Sequence, residues 1–290
     1  MLGIIIAIAC AFTWSLSVIL LKIASNHVHP IVLNLGKNTL GLALLIPTAY
    51  LVDGPLPEIS TLNLTLLFLS GFFGIGIADA MVLKAMNLLT ASKVAILECL
   101  FAPFVITLSV IFFGETINFT QGLGVLAIGA SLFLVLPKKG SQAKTENSLK
   151  GSILMSLGLL TMAGGILIVK PMFEEVPLFW IITIRMVAGV LGSLPPMFLL
   201  KHKRAEILQL WGMQRKFLVF IAFFLSAYVS ISLWIAGYKY LQASVASVLN
   251  QTSTIFTVIL AVVVLKEEFT TRKAVAAILA TVGVVIISAH

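Results

Sequence analysis

The sequence predicts an all-α membrane protein of ten transmembrane helices, arranged as two inverted five-helix repeats. Three observations predict it. The 290-residue chain is 60% hydrophobic and 10% charged, with a mean hydropathy of +1.12, whereas soluble domains carry about 25% charged residues. No water-soluble core hides that much apolar surface, so the solvent is lipid. The apolar residues also fall in stretches of roughly 20, the length that crosses the hydrocarbon. Finally, the chain repeats. Offset by 148 residues, Gly3 falls on Gly151, Lys22 on Lys170, Lys37 on Arg185, Gly41 on Gly189 and Pro47 on Pro195. Offset by 152, Leu89 falls on Leu241, Ala91 on Ala243, Ser92 on Ser244, Phe104 on Phe256 and Glu115 on Glu267. Five is odd, so the second copy enters the membrane upside down, which puts a shared site near midplane between the halves.

The expected spans are 3–24, 31–52, 64–87, 91–113, 118–136, 151–170, 178–200, 217–238, 243–265 and 272–289. The first contains the apolar run Ile4 to Leu21. It is too long for a signal-peptide core and lacks a basic start and a clear cleavage site, so it is expected to be retained. Pro47 in the second span, Pro103 in the fourth and Pro195-Pro196 in the seventh are expected to kink their helices. The third span holds the run Gly71-Phe72-Phe73-Gly74-Ile75-Gly76, whose glycines let a neighbouring backbone approach closely. The longest polar stretches are Pro137–Lys150 and Lys201–Lys216, too short for a domain. The expected division is a first five-helix unit over 1–137, a connecting loop over 138–150 and a second unit over 151–290.

Loop charges choose a side. Lys138, Lys139, Lys144 and Lys150 follow span five; Lys201, Lys203, Arg204, Arg215 and Lys216 follow span seven; Lys266, Arg272 and Lys273 follow span nine. All lie on one face of a ten-span chain, while Asp53, Glu58, Glu115, Glu174 and Glu175 mark the other. The excess of basic loops places the first face in the cytoplasm and both termini outside. The net charge of +8 is thus an orientation signal, and nucleic acid is not an expected partner. Cys10 and Cys99 both sit in apolar spans, so neither a disulfide framework nor a zinc site is expected.

The duplicated unit resembles the EamA type of the drug/metabolite transporter superfamily, over essentially the whole chain. Ala91-Ser92, Pro103 and Phe113-Gly114-Glu115 carry the resemblance in the first half. Ala243-Ser244 and Lys266-Glu267-Glu268 carry it in the second, where Ile255 replaces the proline. Lys37 and Arg185 match the basic residue early in each unit's second helix, and Trp14-Ser15 is family-like. The resemblance implies secondary transport of small metabolites, often export of amino acids or related solutes, by alternating access. It also implies termini in the cytoplasm, opposite to the loop charges.

Ionisable groups inside a span cost about 2.5 to 3.5 kcal/mol on insertion scales, so they are the first site candidates. Asp79 lies deep in the third span and could contact a substrate amine or carry a proton; structurally it could partner Lys84 or Lys93. Glu98 is two turns inside the fourth span, and its repeat mate is Asn250. A carboxylate facing an amide could line a cavity asymmetrically. Arg185 could hold a substrate carboxylate bidentately, or pair with Glu174 or Glu175, or snorkel. Lys37, beside Asn38, has the same choice and leans to structure. Trp14, Tyr228 and Trp234 lie within spans, where they could stack on a substrate or pack between helices. Of the run Asn250, Gln251, Thr252 and Ser253, at most two residues can face one cavity. Glu115 and Glu267 are expected as structural helix-end residues, and Lys22 and Lys170 as snorkelling ones.

The expected function is therefore secondary active transport of a small polar metabolite, an amino acid or similar solute, in the plasma (inner) membrane. The alternative is a non-transporting membrane protein, an intramembrane enzyme or an assembly partner. No catalytic residues and no metal are expected. No nucleotide-binding glycine loop with Lys-Ser/Thr and no His-Glu-x-x-His motif occur in the chain. Gly74 to Asp79 is reminiscent of an aspartyl protease, but the other aspartate, Asp53, is in a loop. No cofactor is expected beyond a coupling proton. The partners are a small-molecule substrate and the bilayer, and a homodimer is compatible.

Overall fold

The computed structural model describes residues 2–25, 28–114, 119–135, 142–198, 216–241, 243–268 and 270–288. Glu115 and half of the basic loop residues named above, Lys138 and Arg204 among them, lie outside these. Helix α1 is Leu2–Ser25 and α2 is Pro30–Val52. Helix α3 (Thr61–Gly71) passes through a π-turn, Phe72–Ile77, into α4 (Ala78–Leu88). Then follow α5 (Ala91–Glu98), α6 (Phe101–Phe113), α7 (Phe119–Val135) and α8 (Gln142–Val169). Helix α9 is Leu178–Phe198. Helix α10 (Lys216–Phe224) passes through a second π-turn, Leu225–Ser230, into α11 (Ile231–Tyr240). Helices α12 (Ala243–Leu265) and α13 (Thr271–Ser288) complete the described chain.

Seven of these continuous segments are long and apolar enough to cross a membrane: Leu2–Ser25, Pro30–Val52, Thr61–Leu88, Ala91–Phe112, Asn147–Phe173, Leu178–Pro195 and Lys216–Tyr240. Three more apolar helices, Gly122–Ser131, Thr252–Leu265 and Ala274–Gly283, are shorter. Large apolar side chains such as Leu51, Phe119, Leu126, Phe217 and Ile278 face outward. With the backbone hydrogen bonds closed inside helices, this is the surface of an integral multi-pass membrane protein.

The kinks follow local chemistry. Pro103 lacks the N–H that would bond the carbonyl of Cys99, and its ring crowds that carbonyl. The helix breaks there: Cys99 N–H donates to Ile96 O at 3.3 Å and Leu100 N–H to Leu97 O at 2.9 Å, and α6 starts at Phe101. In the other half Ile255 stands at the proline's place and α12 runs unbroken. Pro47 and Pro195, by contrast, lie inside continuous helices.

The packing has a repeat of its own. Helix α1 lies against α10, the second π-turn and α11, as α8 lies against α3, the first π-turn and α4. Helix α1 also packs on α12, as α8 packs on α5 and α6; α7 packs on α13 and α2 on α9. The two π-turns are themselves mates, at an offset of 153.

A π-turn leaves backbone carbonyls without their usual partners, so they must be met from outside. The buried Asn34 amide donates to Gly76 O at 2.8 Å and Ile75 O at 3.4 Å. It also donates to the Ser193 hydroxyl of α9 at 3.0 Å. At the second turn, the Cys10 thiol donates to Ser230 O at 3.5 Å. Asn34→Leu strands the first turn's carbonyls in a dry interior, at about 1 to 3 kcal/mol per unmet group. Its melting temperature in detergent is expected to fall by several degrees; an unchanged value would show that the turn does not need the amide.

Candidate functional site

One cavity of about 140 Å³ lies where the two halves meet. That is roughly ten times the space one water needs. Each half supplies it in the same way. Helix α1 contributes Ala11 and Trp14, and α8 contributes their 148-offset mates Leu159 and Met162. Lys37 on α2 and Arg185 on α9 are the next pair. At an offset of 152, Gly74 and Ile75 pair with Ser226 and Ala227, Asp79 with Ile231, Glu98 with Asn250 and Phe101 with Ser253. All sixteen line the same cavity. Both π-turns form part of its wall.

The scaffold is symmetric and the chemistry is not. Asp79 and Glu98 come from the first half, and their mates are Ile231 and Asn250. The Lys37 ammonium is hydrogen-bonded and ion-paired with Asp79, so the acid's partner is neither Lys84 nor Lys93. Lys84 points outward, and the Lys93 ammonium donates to the Ser148 hydroxyl at 3.0 Å. The Trp14 indole N–H donates to Glu98 Oε1 at 3.2 Å.

Arg185 is only 3% exposed, so it does not snorkel. It does not pair with Glu175, which instead accepts from Asn63 Nδ2 at 2.9 Å. Its charged neighbour is Asp79. The Arg185 Nε–H has no hydrogen-bond partner among the described residues, and neither polar atom of the Asn250 amide has one. Unmet polar groups are costly in a dry interior and call for a partner such as water, an ion or a ligand.

An aromatic wall completes the cavity. Phe101 and Trp234 stand with ring centroids 6.0 Å apart, and Trp234 and Tyr238 5.2 Å apart, both edge-to-face. Together with Trp14, these rings could receive an apolar group or a cation.

Of the expected site residues, the cavity collects Trp14, Lys37, Asp79, Glu98, Arg185, Trp234 and Asn250. Asn38 is buried behind it, donating to Asn34 Oδ1 at 3.3 Å and to the Ser193 hydroxyl at 3.5 Å. Tyr228 turns away as well, its hydroxyl 2.9 Å from that of Thr48. The side chain of Gln251 lies outside the described ones. Within the polar run of α12, Asn250 and Ser253 line the cavity, while Thr252 bonds its own helix at Leu249 O, 2.6 Å. Tyr238, Ser226 and Ser230 were not expected. Tyr238 sits one turn beyond Trp234, a spacing that could have revealed it. Met162 and Phe101 could have been found as repeat mates of Trp14 and Ser253.

Comparison with known proteins gives the following. A family model described as "EamA-like transporter family" matches residues 1–136 and 149–289. A solved crystal structure of a protein is similar in fold, with a TM-score of 0.72 and 16% identity, over 98% of this chain and 94% of that one. No curated protein matches the chain.

Proposed function

Because this chain belongs to the EamA-like transporter family, we propose that it is a secondary transporter of a small zwitterionic metabolite, an amino acid or close relative. Membership gives a membrane transporter of the drug/metabolite class; the substrate, direction and mechanism are our inference. The observation that carries it is Arg185: a buried guanidinium with an unmet donor, facing a cavity that also holds Glu98.

In this reading the halves are 1–137 and 151–290, joined by 138–150, and five helices of each make ten spans. The mated packing and the sixteen mated cavity residues support two copies inverted about the cavity. Seven long helices and three shorter apolar ones are the expected spans, the short ones completed by thinner bilayer or flanking residues. The two units rock about the cavity, exposing it to one side and then the other.

Lys37 and Asp79 neutralise each other, so the free ends of a zwitterion are left to the other two charges. The carboxylate sits on Arg185, whose planar fork matches two oxygens. The ammonium approaches Glu98 beside the face of Trp14. With Glu98 ionised, the four cavity charges cancel, and a zwitterion keeps them cancelled. A proton on Glu98 would take the ammonium's place on the return step, which is how an intramembrane acid couples flux to a gradient. We place the protein in the plasma membrane, working as an exporter.

Purified protein in liposomes, offered a panel of radiolabelled amino acids and related solutes, tests this. If no solute moves, with or without a proton gradient, the reading fails. Glu98→Gln is expected to abolish gradient-driven accumulation while solute exchange, which keeps the amide oxygen for the ammonium, is weakened but persists. Equal loss of both activities would assign Glu98 to binding or folding alone, with no part in proton coupling.

A further inference from the structure

Two carboxylates outside the cavity make the same unusual contact at opposite ends of the molecule. Helix segment Thr61–Leu88 runs from one end to the other. At its start lies Asp53, which closes α2. Asp53 Oδ2 accepts the backbone N–H of Phe179 at 2.7 Å, in the first turn of α9. Next to it, the indole N–H of the buried Trp180 donates to Gly54 O at 3.1 Å. At the other end lies Glu267, just past α12. Its Oε1 accepts the N–H of Ala91 at 2.6 Å, and Oε2 accepts the Ser92 hydroxyl at 2.7 Å and the Ser92 N–H at 3.4 Å. These are the first residues of α5.

Three properties of this pair go beyond helix capping. Each carboxylate belongs to one half and holds a helix of the other: Asp53 holds α9, and Glu267 holds α5. The two contacts lie at opposite ends. Each captured helix carries one of the cavity's two charges that the Lys37–Asp79 pair does not neutralise. Arg185 stands about two turns beyond Phe179, and Glu98 about two turns beyond Ala91. Orphan backbone donors and the positive end of a helix dipole favour a carboxylate, and each such contact can be broken by separating the halves at that end alone. Around Glu267 the grip is reinforced by Lys22 of α1, which interacts electrostatically with it and donates to Met86 O.

Resting on the transporter reading, we propose that Asp53 and Glu267 are the two latches of alternating access, one per membrane face. Each keeps its own end of the cavity shut while fixing the position of Arg185 or Glu98. Opening one end releases its latch and leaves the other closed. Substrate on Arg185 or Glu98 pulls on the helix that the latch holds, which connects occupancy to the choice of face.

Cys10 lines the cavity and reports on it. In a Cys99→Ala background it is the only thiol of the chain. Its labelling by a membrane-impermeant maleimide is measured from each side, in sealed vesicles of both orientations. Asp53→Ala is expected to raise the initial labelling rate several-fold from the Asp53 side only, and Glu267→Ala from the Glu267 side only. Asp53→Asn and Glu267→Gln keep one acceptor oxygen and should show intermediate rates; they also carry the test if the alanine forms do not fold. Unchanged rates, or equal rises from both sides, overturn the proposal and leave the carboxylates as simple caps. Solute flux is scored separately in the same vesicles. Face-specific labelling without flux of any solute would sink the transporter reading and leave the latches standing.

Discussion

Arg185→Ala is expected to lower transport of carboxylate-bearing solutes about a hundredfold while the protein stays folded. A charge-assisted hydrogen bond contributes about 1.5 to 3 kcal/mol, and a guanidinium holding two oxygens sits at the upper end, near 3 kcal/mol or two decades in affinity. The fold tolerates the loss for a specific reason. Asp79, the neighbouring acid, keeps Lys37, and Glu98 keeps the Trp14 indole N–H, so each buried carboxylate retains a hydrogen-bond partner. Arg185→Lys should restore little, because an ammonium is a point charge and cannot meet two oxygens in one plane. Flux in proteoliposomes decides the matter when an amino acid is compared with its amide. The arginine's loss should penalise the acid far more than the amide. Equal penalties would remove Arg185 from carboxylate recognition.

Gly192→Ala is expected to have a large effect on stability. A methyl group on Gly192 would stand 2.5 Å from Phe72 O and 3.2 Å from Phe72 Cα and C. These are backbone atoms at the head of the first π-turn, so they cannot swing aside as a side chain would. The same seam places Gly76 against Gly192, Gly189 against Ile75, and Gly71 against the backbone of Arg185. Overpacking a core costs about 1 to 3 kcal/mol where side chains give way; here the cost should reach or exceed the upper figure. Small residues are what let helices approach closely in lipid. The readout is yield and melting temperature in detergent. Gly237→Ala serves as control, since a methyl there meets nothing within 4 Å and should gain about 0.5 to 1 kcal/mol of helix propensity. If the Gly192 and Gly237 variants melt alike, α9 does not rest on the π-turn.

The seven long apolar helices were legible because lipid imposes a length and an apolarity that a sequence cannot disguise. The repeat was legible as an offset, and it carried the cavity with it: Lys37, Arg185, Glu98 and Asn250 could be paired before their positions were known. The gap in α5–α6 followed from Pro103, and the continuity of α12 from Ile255. What escaped was rotation about the helix axis. A π-turn needs no special composition: Leu225 to Ser230 contains no glycine or proline to announce it. Beyond such a turn every residue faces about 100° away from where an α-helical count puts it, and Tyr228 lies within the turn itself, its hydroxyl on Thr48 and not in the cavity. Partner choice was hidden for a similar reason. Asp79 meets Lys37 across helices, whereas proximity in sequence offers Lys84 or Lys93. Glu267 was recognisable as an end residue, but the helix it binds is 176 positions away, beyond any local pattern.

The two π-turns also bear on how such a chain changes over generations. Each is a helix with one residue too many for α geometry. Deleting a single codon within 72–77 would let α3 run into α4 as plain α-helix with the downstream residues still in phase, because the turn already absorbs the surplus residue. Asp79 would keep its place on the cavity wall and Lys37 its counter-ion, while the wall itself lost the wide turn. Deleting one within 225–230 would likewise leave Trp234 and Tyr238 in place. Divergence of this molecule can therefore proceed by gain and loss of length at two points that reshape the wall, with every site residue still present and still facing the cavity.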